Sequence, residues 1–247
     1  MVGNKNMLHK LLKKVSVVVM AISIFSLIGC SEIDHQQAAD VEKLLQEKYD
    51  QEFKATHIGG RYGTANNDTV TTYLHPANNE SLVFKAVMDK NGVLVSDSYI
   101  PRLISDSLNH ILKKELEVAG IESESNTVVM DADSSAETNP KISLEEYVKT
   151  YKPGYFSADM IVKETPNLTA EQFEKALTAV YQSSTETTFQ VAIHVISNDD
   201  YEECLKKFKS MSDISDSMYA DYKVVDEMKL FIDTEGFHIF QAGKGGE

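Results

Sequence analysis

The sequence lacks tryptophan and contains only two cysteines and five prolines in 247 residues. It has no CxxC spacing, so neither a thiol redox motif nor a zinc knuckle is supported. The HExxH pattern of zinc proteases, the GxxxxGK[ST] phosphate loop and the GxSxG serine elbow are also missing. These absences exclude the enzyme classes that a short motif identifies. We therefore predict a protein without catalytic residues, cofactor or bound metal.

Basic residues are scarce as well. The chain has 24 Lys+Arg against 38 Asp+Glu, which gives a net charge of −14. In the body of the chain, Lys113-Lys114 and Lys206-Lys207 are only pairs. Binding to a nucleic-acid backbone or an anionic membrane surface requires a basic footprint, so neither is an expected partner. Such acidity often serves solubility alone, and the alternative is a complementary basic protein.

Long apolar runs are absent except for one, from Val15 to Ile28, which follows Lys10, Lys13 and Lys14. The run is shorter than the ~20 residues that a membrane-spanning helix needs. A positive segment, a short apolar segment and a small-residue cleavage site are together typical of a secretory signal peptide. The alternative is an ordinary N-terminal membrane helix that happens to precede a cysteine.

The segment ends in Leu27-Ile28-Gly29-Cys30, which resembles the lipobox of bacterial lipoproteins. The resemblance implies that residues 1–29 are a signal peptide cut after Gly29. It also implies that the Cys30 thiol carries a diacylglyceryl group, with palmitate-type acyl chains. Each buried methylene contributes about 0.8 kcal/mol, so two chains hold a protein to a bilayer without a spanning helix. We therefore expect a lipid anchor at the extracytoplasmic face of the cell membrane.

Cleavage would remove four lysines and no acid, leaving 20 Lys+Arg against 38 Asp+Glu and a net charge of −18. With Cys30 lipidated, Cys204 is the only other cysteine. Tyr201, Cys204, Leu205 and Phe208 recur at the i, i+3, i+4, i+7 spacing of one helix face. This pattern predicts that Cys204 is a buried core residue. The alternative is a reactive thiol.

Hydrophobic periodicity divides the mature chain into five segments. These are a lipidated tether (30–39), an α+β lobe (40–121), a polar linker or loop (122–142), a second α+β lobe (143–242) and a tail (243–247). The predicted fold class is α+β, with two small lobes, each an antiparallel or mixed sheet packed with helices. The two lobes are either separate domains or merged into one.

Local signals indicate several individual elements. Ser143 and Thr169 have capping-box spacing and each should begin a helix. Asn91-Gly92 predicts a hairpin turn. Alternation from Thr187 to Ile196 predicts a strand, with His194 on its polar side and therefore at the surface. Within the polar linker, we expect one short strand around Val128-Val129-Met130.

Seven acidic residues are the candidate partner-binding site, because no apolar stripe includes them: Glu122, Glu124, Asp131, Asp133, Glu137, Asp199 and Asp200. The spacing within 131–137 is similar to a calcium loop. However, Ala136 and Ile142 occupy the positions where such a loop needs glycine and a bidentate acid. A solvated acidic loop is therefore predicted there. Asp199-Asp200 also fits a helix N-terminus, where acids are favourable.

The body is similar to small, mostly uncharacterised lipoproteins of Gram-positive Firmicutes over residues 47–53 (EKYDQEF), 59–64 (GGRYGT) and 82–85 (LVFK). This resemblance implies no catalytic residue. We predict a non-enzymatic surface lipoprotein that binds a protein, and one specific form is an immunity protein against an exported toxin. A solute-binding or sensing lipoprotein is the alternative, followed by an envelope hydrolase.

Overall fold

The computed structural model describes residues 35–59, 68–241 and 243. The lipobox and the rest of 1–34 lie outside this part, as do 60–67, 242 and 244–247. The predicted tail thus falls outside it except for Gly243. Asp34–Glu247 form one compact unit that contains both sheets. No helix in the described part combines the length and the apolar character needed to cross a membrane.

The first half of the unit contains a helix, four strands and a helix, in the order that the sequence predicts. These elements are α1 (His35–Tyr49), β1 (Phe53–Gly59), β2 (Thr69–Pro76), β3 (Phe84–Asp89), β4 (Leu94–Asp97) and α2 (Tyr99–Val118). The strands form an antiparallel sheet in the order β1-β2-β3-β4. The rings of Phe53, Phe84 and Tyr99 pack against one another at centroid distances of 4.9–5.4 Å. This aromatic cluster joins the sheet to the start of α2.

Helix α1 begins at His35, inside the segment predicted as a tether (30–39), which corrects that boundary. Gln37 and Ala38 are buried, and Gln36 Nε2 donates a hydrogen bond to Asp40 Oδ1 one turn later, at 2.8 Å. Residues 35–39 are therefore a packed helical turn. Their polar composition conceals this turn in the sequence, because its burial depends on residues distant in the chain.

The second half contains the other sheet and its helices. Its elements are β5 (Ser123–Met130), α3 (Leu144–Tyr151), β6 (Tyr155–Lys163), α4 (Glu174–Ser183), β7 (Phe189–Ile196), α5 (Tyr201–Lys209), β8 (Val224–Asp233) and β9 (Gly236–Gln241). The strand order is β5-β6-β7-β8-β9, and only β6 and β7 are parallel. Parallel neighbours need a crossover, which α4 provides. One antiparallel and one mixed sheet with helices confirm the predicted α+β class.

Strand β5 lies in the segment predicted as a linker (122–142). It confirms the short strand expected around Val128-Val129-Met130 and corrects the prediction over 123–127. Its eight residues pair with β6 from Ser123 opposite Val162 to Met130 opposite Tyr155. Polar side chains of β5 are buried because Asn109 of α2 satisfies them. The Asn109 Oδ1 atom accepts hydrogen bonds from Ser125 Oγ (3.0 Å), Thr127 N (3.1 Å) and Thr127 Oγ1 (2.6 Å). Composition alone therefore concealed an edge strand of the second sheet.

Helical segments begin directly after Ser143 and Thr169, as their capping-box spacing predicts. Glu146 N donates to Ser143 Oγ at 3.1 Å, and Thr169 N donates to Gln172 Oε1 at 2.9 Å. Helix α2 contacts both β3 and β5, and its apolar side is fully buried. This side consists of Ile104, Leu108, Leu112 and Leu116. The core of the unit is therefore built around α2, which touches both sheets.

Candidate functional site

The two faces of the second sheet have different coverings. Alternate residues of β6 and β7 bury Phe156, Met160 and Ile193 on one face. On the opposite face, α5 and the 3-10 turn Asp216–Asp221 cover one half, where Ile161 and Ile196 join Tyr201, Cys204 and Phe208 in a hydrophobic cluster. No element of the described residues covers the other half of this face. The uncovered half is a groove of about 490 Å³, which we call the sheet groove.

The sheet groove has one half-buried carboxylate, that of Asp159. Other side chains that line it are Ser157, Gln190, Ala192, Lys229, Phe231 and Phe240. Loss of hydration, followed by the nearby charge of Asp216, raises the pKa of Asp159 to about 6. No residue in the described part donates a hydrogen bond to this carboxylate. At neutral pH it is a charged acceptor that lacks a partner, which is typical of binding sites.

His194 lies beside this groove, and its position corrects the prediction of a surface histidine. It is two residues beyond Ala192, which is paired with Asp159 across β6 and β7. Its imidazole is stacked on Tyr219 at a centroid distance of 3.8 Å. Its Nδ1 is 3.7 Å from Glu227 Oε1, too long for a hydrogen bond. Burial lowers the pKa of His194, which favours the neutral ring at pH 7.

The groove has no arrangement suited to nucleophilic catalysis among the described residues. Ser157 Oγ accepts a hydrogen bond from Gln190 Nε2 at 3.1 Å, and no imidazole is bonded to it. An activated serine needs a base within hydrogen-bond reach. The groups that the groove presents are a charged acceptor, an amide and aromatic rings, all held on one sheet.

Strand β9 adds an exposed apolar edge to the sheet groove. It is the last strand of the sheet and pairs with β8. Phe240 is 78% exposed and Ile239 39% exposed, although both belong to this edge strand. Phe240 also lines the groove. An edge strand presents main-chain donors and acceptors, and proteins usually protect such edges with charge or proline. An exposed aromatic residue at this position therefore favours an interaction site.

The seven acids predicted as a partner-binding site do not form one cluster of free carboxylates. Glu122 lies immediately before β5 and Glu124 lies on this strand. The next three lie in the segment that follows β5, and the last two lie immediately before α5. Five are bonded within the chain: Glu122 to Lys163, Glu124 to Lys113 and Lys209, Asp133 to Ser135, Glu137 to Tyr151, and Asp200 to the main-chain nitrogen of Lys223. Asp131 and Asp199 are exposed.

Two of these acids have altered acidity that local bonds explain. Main-chain donation from Asn139, with the Tyr151 hydroxyl next, lowers the pKa of Glu137. Hydrogen bonds from Ser135 lower the pKa of Asp133. Such bonds stabilise the turns of the 131–142 segment, so these carboxylates have a structural role whether or not a partner binds them.

Cys204 is buried in the hydrophobic cluster under α5, which confirms the core prediction. Loss of hydration raises the pKa of its thiol to about 11. A thiol with this pKa is almost entirely protonated at neutral pH and is a poor nucleophile. Burial and the raised pKa of the thiol both disfavour the alternative of a reactive Cys204.

No local sequence pattern marks Asp159, Phe231 or Phe240 as site residues. Asp159 occupies a polar position of an alternating strand, which is where any surface acid would occur. Phe240 belongs to β9, the last strand of the described part, and an aromatic residue is ordinary in a strand. The only available signal was an aromatic residue at an edge strand near the C-terminus. That signal is weak without knowing which half of the sheet is covered.

Comparison with known proteins places this fold beside one solved structure. No protein-family model matches the sequence, and neither does any curated protein. The fold is similar to the crystal structure of a DUF5037 family protein from Ruminococcus gnavus ATCC 29149, with a TM-score of 0.63 and 12% sequence identity. The match covers 81% of this chain and 93% of that chain. At this identity the likeness concerns the fold alone, and it supports the α+β architecture of the described unit.

Proposed function

We propose that this protein is a membrane-anchored lipoprotein, exposed at the extracytoplasmic face, that binds a basic protein partner without catalysing a reaction. An extended segment of the partner adds to β9 and places its side chains in the sheet groove. The observation that carries the proposal is the exposed edge strand: Phe240 is 78% exposed and lines a groove that contains the unpaired carboxylate of Asp159.

Strand addition suits the geometry of this edge. An added strand gains affinity from main-chain hydrogen bonds, and it gains specificity from pockets that receive alternate side chains. Phe231 and Phe240 provide apolar contact area in the groove, and Asp159 provides a charged acceptor. A lysine or arginine of the partner would supply the hydrogen bonds that the Asp159 carboxylate lacks.

Charge at the β8–β9 hairpin favours a basic segment. Residues 224–241 contain four carboxylates and one lysine: Asp226, Glu227, Asp233, Glu235 and Lys229. Glu227 and Glu235 are exposed. Complementary charge accelerates association and discriminates against acidic partners. The chain's net charge of −14 acts in the same direction.

An immunity protein against an exported toxin is the specific form that we favour. A lipid-anchored inhibitor must capture its target at the envelope, and electrostatic steering makes such capture fast. The predicted partner-binding acids would contribute to steering at long range through Asp131 and Asp199, which are exposed. Direct contact would be made at β9 and the sheet groove.

The test is capture of a partner by the full chain purified in detergent, using the secreted and surface proteins of the cells that produce it. We expect the wild-type protein to retain a basic protein. Phe240→Asp should abolish retention, because it places a charge on the apolar edge. The matched control is Val95→Asp, since Val95 is 56% exposed on β4, an edge strand of the first sheet.

The association rate of the captured pair gives a second criterion. It should fall steeply as salt rises, because exposed charges are screened beyond about 10 Å at 0.1 M. A partner as acidic as this chain, or equal retention by wild type and Phe240→Asp, would refute the proposed binding mode. Loss of retention in Val95→Asp alone would place binding on the first sheet instead.

The anchor is tested separately from the binding mode. Cys30→Ser should leave an uncleaved precursor that incorporates no labelled fatty acid, because the acylated thiol is gone. Cys204→Ser is the matched control and should incorporate as much label as wild type. Undiminished label in Cys30→Ser would remove the lipoprotein assignment while leaving the binding mode open to its own test.

A further inference from the structure

A second cavity lies where α2, β5 and α5 meet, and it shares no lining residue with the sheet groove. Its volume is about 230 Å³, and we call it the Arg102 cleft. Helix α2 contributes Arg102, Asp106 and Lys113, β5 contributes Glu124, and α5 contributes Lys209. Three cations and two carboxylates thus line a small polar space in a protein that is otherwise strongly acidic.

Arg102 is the distinctive group of the cleft, because most of its hydrogen-bonding capacity is unused. One guanidinium nitrogen donates to Asn126 Oδ1. Its Nε is buried and has no hydrogen-bond partner in the described structure. No carboxylate of the described residues forms an ion pair with Arg102 within 4.0 Å, although Asp106, Asp213 and Glu124 are near enough to favour its charge. A buried donor left unpaired costs free energy comparable to a lost hydrogen bond.

Two lysines supply additional positive charge beside it. Lys113 Nζ and Lys209 Nζ both lie 3.2 Å from Glu124 Oε2. One carboxylate therefore holds two ammonium groups, so it does not neutralise both of them. The remaining acid of the lining, Asp106, accepts from no arginine or lysine; its carboxylate lies 3.5 Å from His110 Nδ1. Among the residues that line the cleft, cations outnumber carboxylates by one.

We propose that the Arg102 cleft binds a small oxyanion, a carboxylate or phosphate group, through the guanidinium of Arg102 with Lys113 and Lys209 beside it. The guanidinium presents its donors in a planar fork that matches both groups. The cleft is smaller than the ~300–1,000 Å³ of ordinary ligand pockets, so the ligand is a compact anion. This inference does not depend on partner binding at β9.

The experiment is isothermal titration of the full chain in detergent with sodium phosphate and, separately, sodium succinate. Ionic strength is held constant with sodium chloride, so that a general salt effect cancels. We expect saturable binding of at least one of the two anions. Arg102→Gln keeps a donor for Asn126 but removes the charge, and should weaken binding about tenfold or more. The matched control, Lys43→Gln, removes an exposed positive charge that does not line the cleft and should leave affinity unchanged.

Glu124→Gln should change anion affinity in the direction opposite to Arg102→Gln. Structural damage to the cleft would not raise the affinity. It releases Lys113 and Lys209 from their shared carboxylate, so anion affinity should rise severalfold. Lys209→Gln, at a side chain 45% exposed, should lower affinity even if Arg102→Gln does not fold. Absence of saturable binding for both anions up to about 10 mM, or equal affinity in wild type, Arg102→Gln and Lys209→Gln, would overturn the proposal.

Discussion

Two carboxylates, Asp97 in the first half of the protein and Asp159 in the second, differ in their partners. The Asp97 side chain, at the end of β4, is 1% exposed. It accepts hydrogen bonds from Lys48 Nζ (2.8 Å), Tyr49 OH (2.7 Å) and Tyr99 N (3.0 Å). Asp159, on β6, is half-buried and accepts none in the described part of the chain. Asp97 therefore has the hydrogen-bond partners that a buried structural carboxylate needs, and Asp159 does not.

The difference indicates different roles. A buried charge is tolerated when it is paired and hydrogen-bonded, and it is costly otherwise. Asp97 ties α1 to the start of α2, which assembles the first half around its aromatic cluster. Ionised Asp159 destabilises the folded state, because its carboxylate is partly desolvated and no hydrogen bond from the described residues compensates for the lost hydration. The proposed binding mode would supply the missing partner of Asp159, and the variants below test the contrast from the largest effect to the smallest.

Asp97→Ala should lower the free energy of unfolding by about 3 kcal/mol, because it leaves the Tyr49 hydroxyl without its acceptor and Lys48 with only the Ser135 carbonyl oxygen. Urea denaturation measures this change. The control is Asp68→Ala, which removes a carboxylate that is 79% exposed and pairs with Lys90. That variant should change stability by less than about 0.5 kcal/mol. Equal losses in the two variants would show that the Asp97 network is not structural.

Asp159→Asn should stabilise the protein at neutral pH. The pKa of Asp159 is raised to about 6, so the folded state binds the proton more tightly than the unfolded state. Wild-type stability therefore decreases as pH rises from about 4 to 6. Allowing for partial exposure, the asparagine variant should gain about 1.5 kcal/mol above pH 6.

Thermal or urea unfolding of wild type and Asp159→Asn at pH 3.5, 5 and 7.5 measures this pH dependence. The two proteins should have similar stability near pH 3.5, where Asp159 is protonated in the folded state and largely protonated in the unfolded state. Asp199→Asn removes an exposed carboxylate and serves as the control. A constant difference between wild type and Asp159→Asn at all three values would contradict the unpaired state of Asp159.

Cys204→Ala should cost about 1 kcal/mol, because it shortens a small side chain in the covered half of the sheet face. The thiol is buried and its pKa is raised to about 11, so it should react slowly with a thiol reagent in the native state. Denaturation in urea should restore rapid labelling. Fast native-state labelling would mean that α5 does not cover this half.

Phe240→Ser should change the free energy of unfolding by less than about 0.5 kcal/mol, since its ring is 78% exposed. Phe208→Ala, in the covered half at 2% exposure, is the comparison and should cost about 3 kcal/mol or more. Urea denaturation of both variants measures the difference between the open and covered halves. A large loss for Phe240→Ser would make β9 part of the core and weaken the proposed binding edge.

Several features followed from the sequence by itself because they depend on neighbours in the chain. The Ser143 and Thr169 caps join residues three positions apart, and Gly92 adopts the φ of +78° that the predicted Asn-Gly turn requires. Apolar alternation identified β7, and the helical spacing around Cys204 identified a buried face. The lipobox and the lipid anchor that it implies also rest on local residues, and they remain a prediction.

Only the tertiary structure decided the features that depend on distant contacts. β5 is a strand because Asn109 satisfies its polar side chains, and residues 35–39 are helical because Gln37 and Ala38 are packed. The sequence pattern of β6 is the same whether Asp159 is covered, paired or open. Whether Asp159 is covered depends on where α5 and the 3-10 turn end on the sheet. Whether the Arg102 guanidinium finds partners depends on how α2 packs against β5. Burial and pairing are properties of the assembled chain, so the candidate sites were absent from the local signals that revealed the fold class.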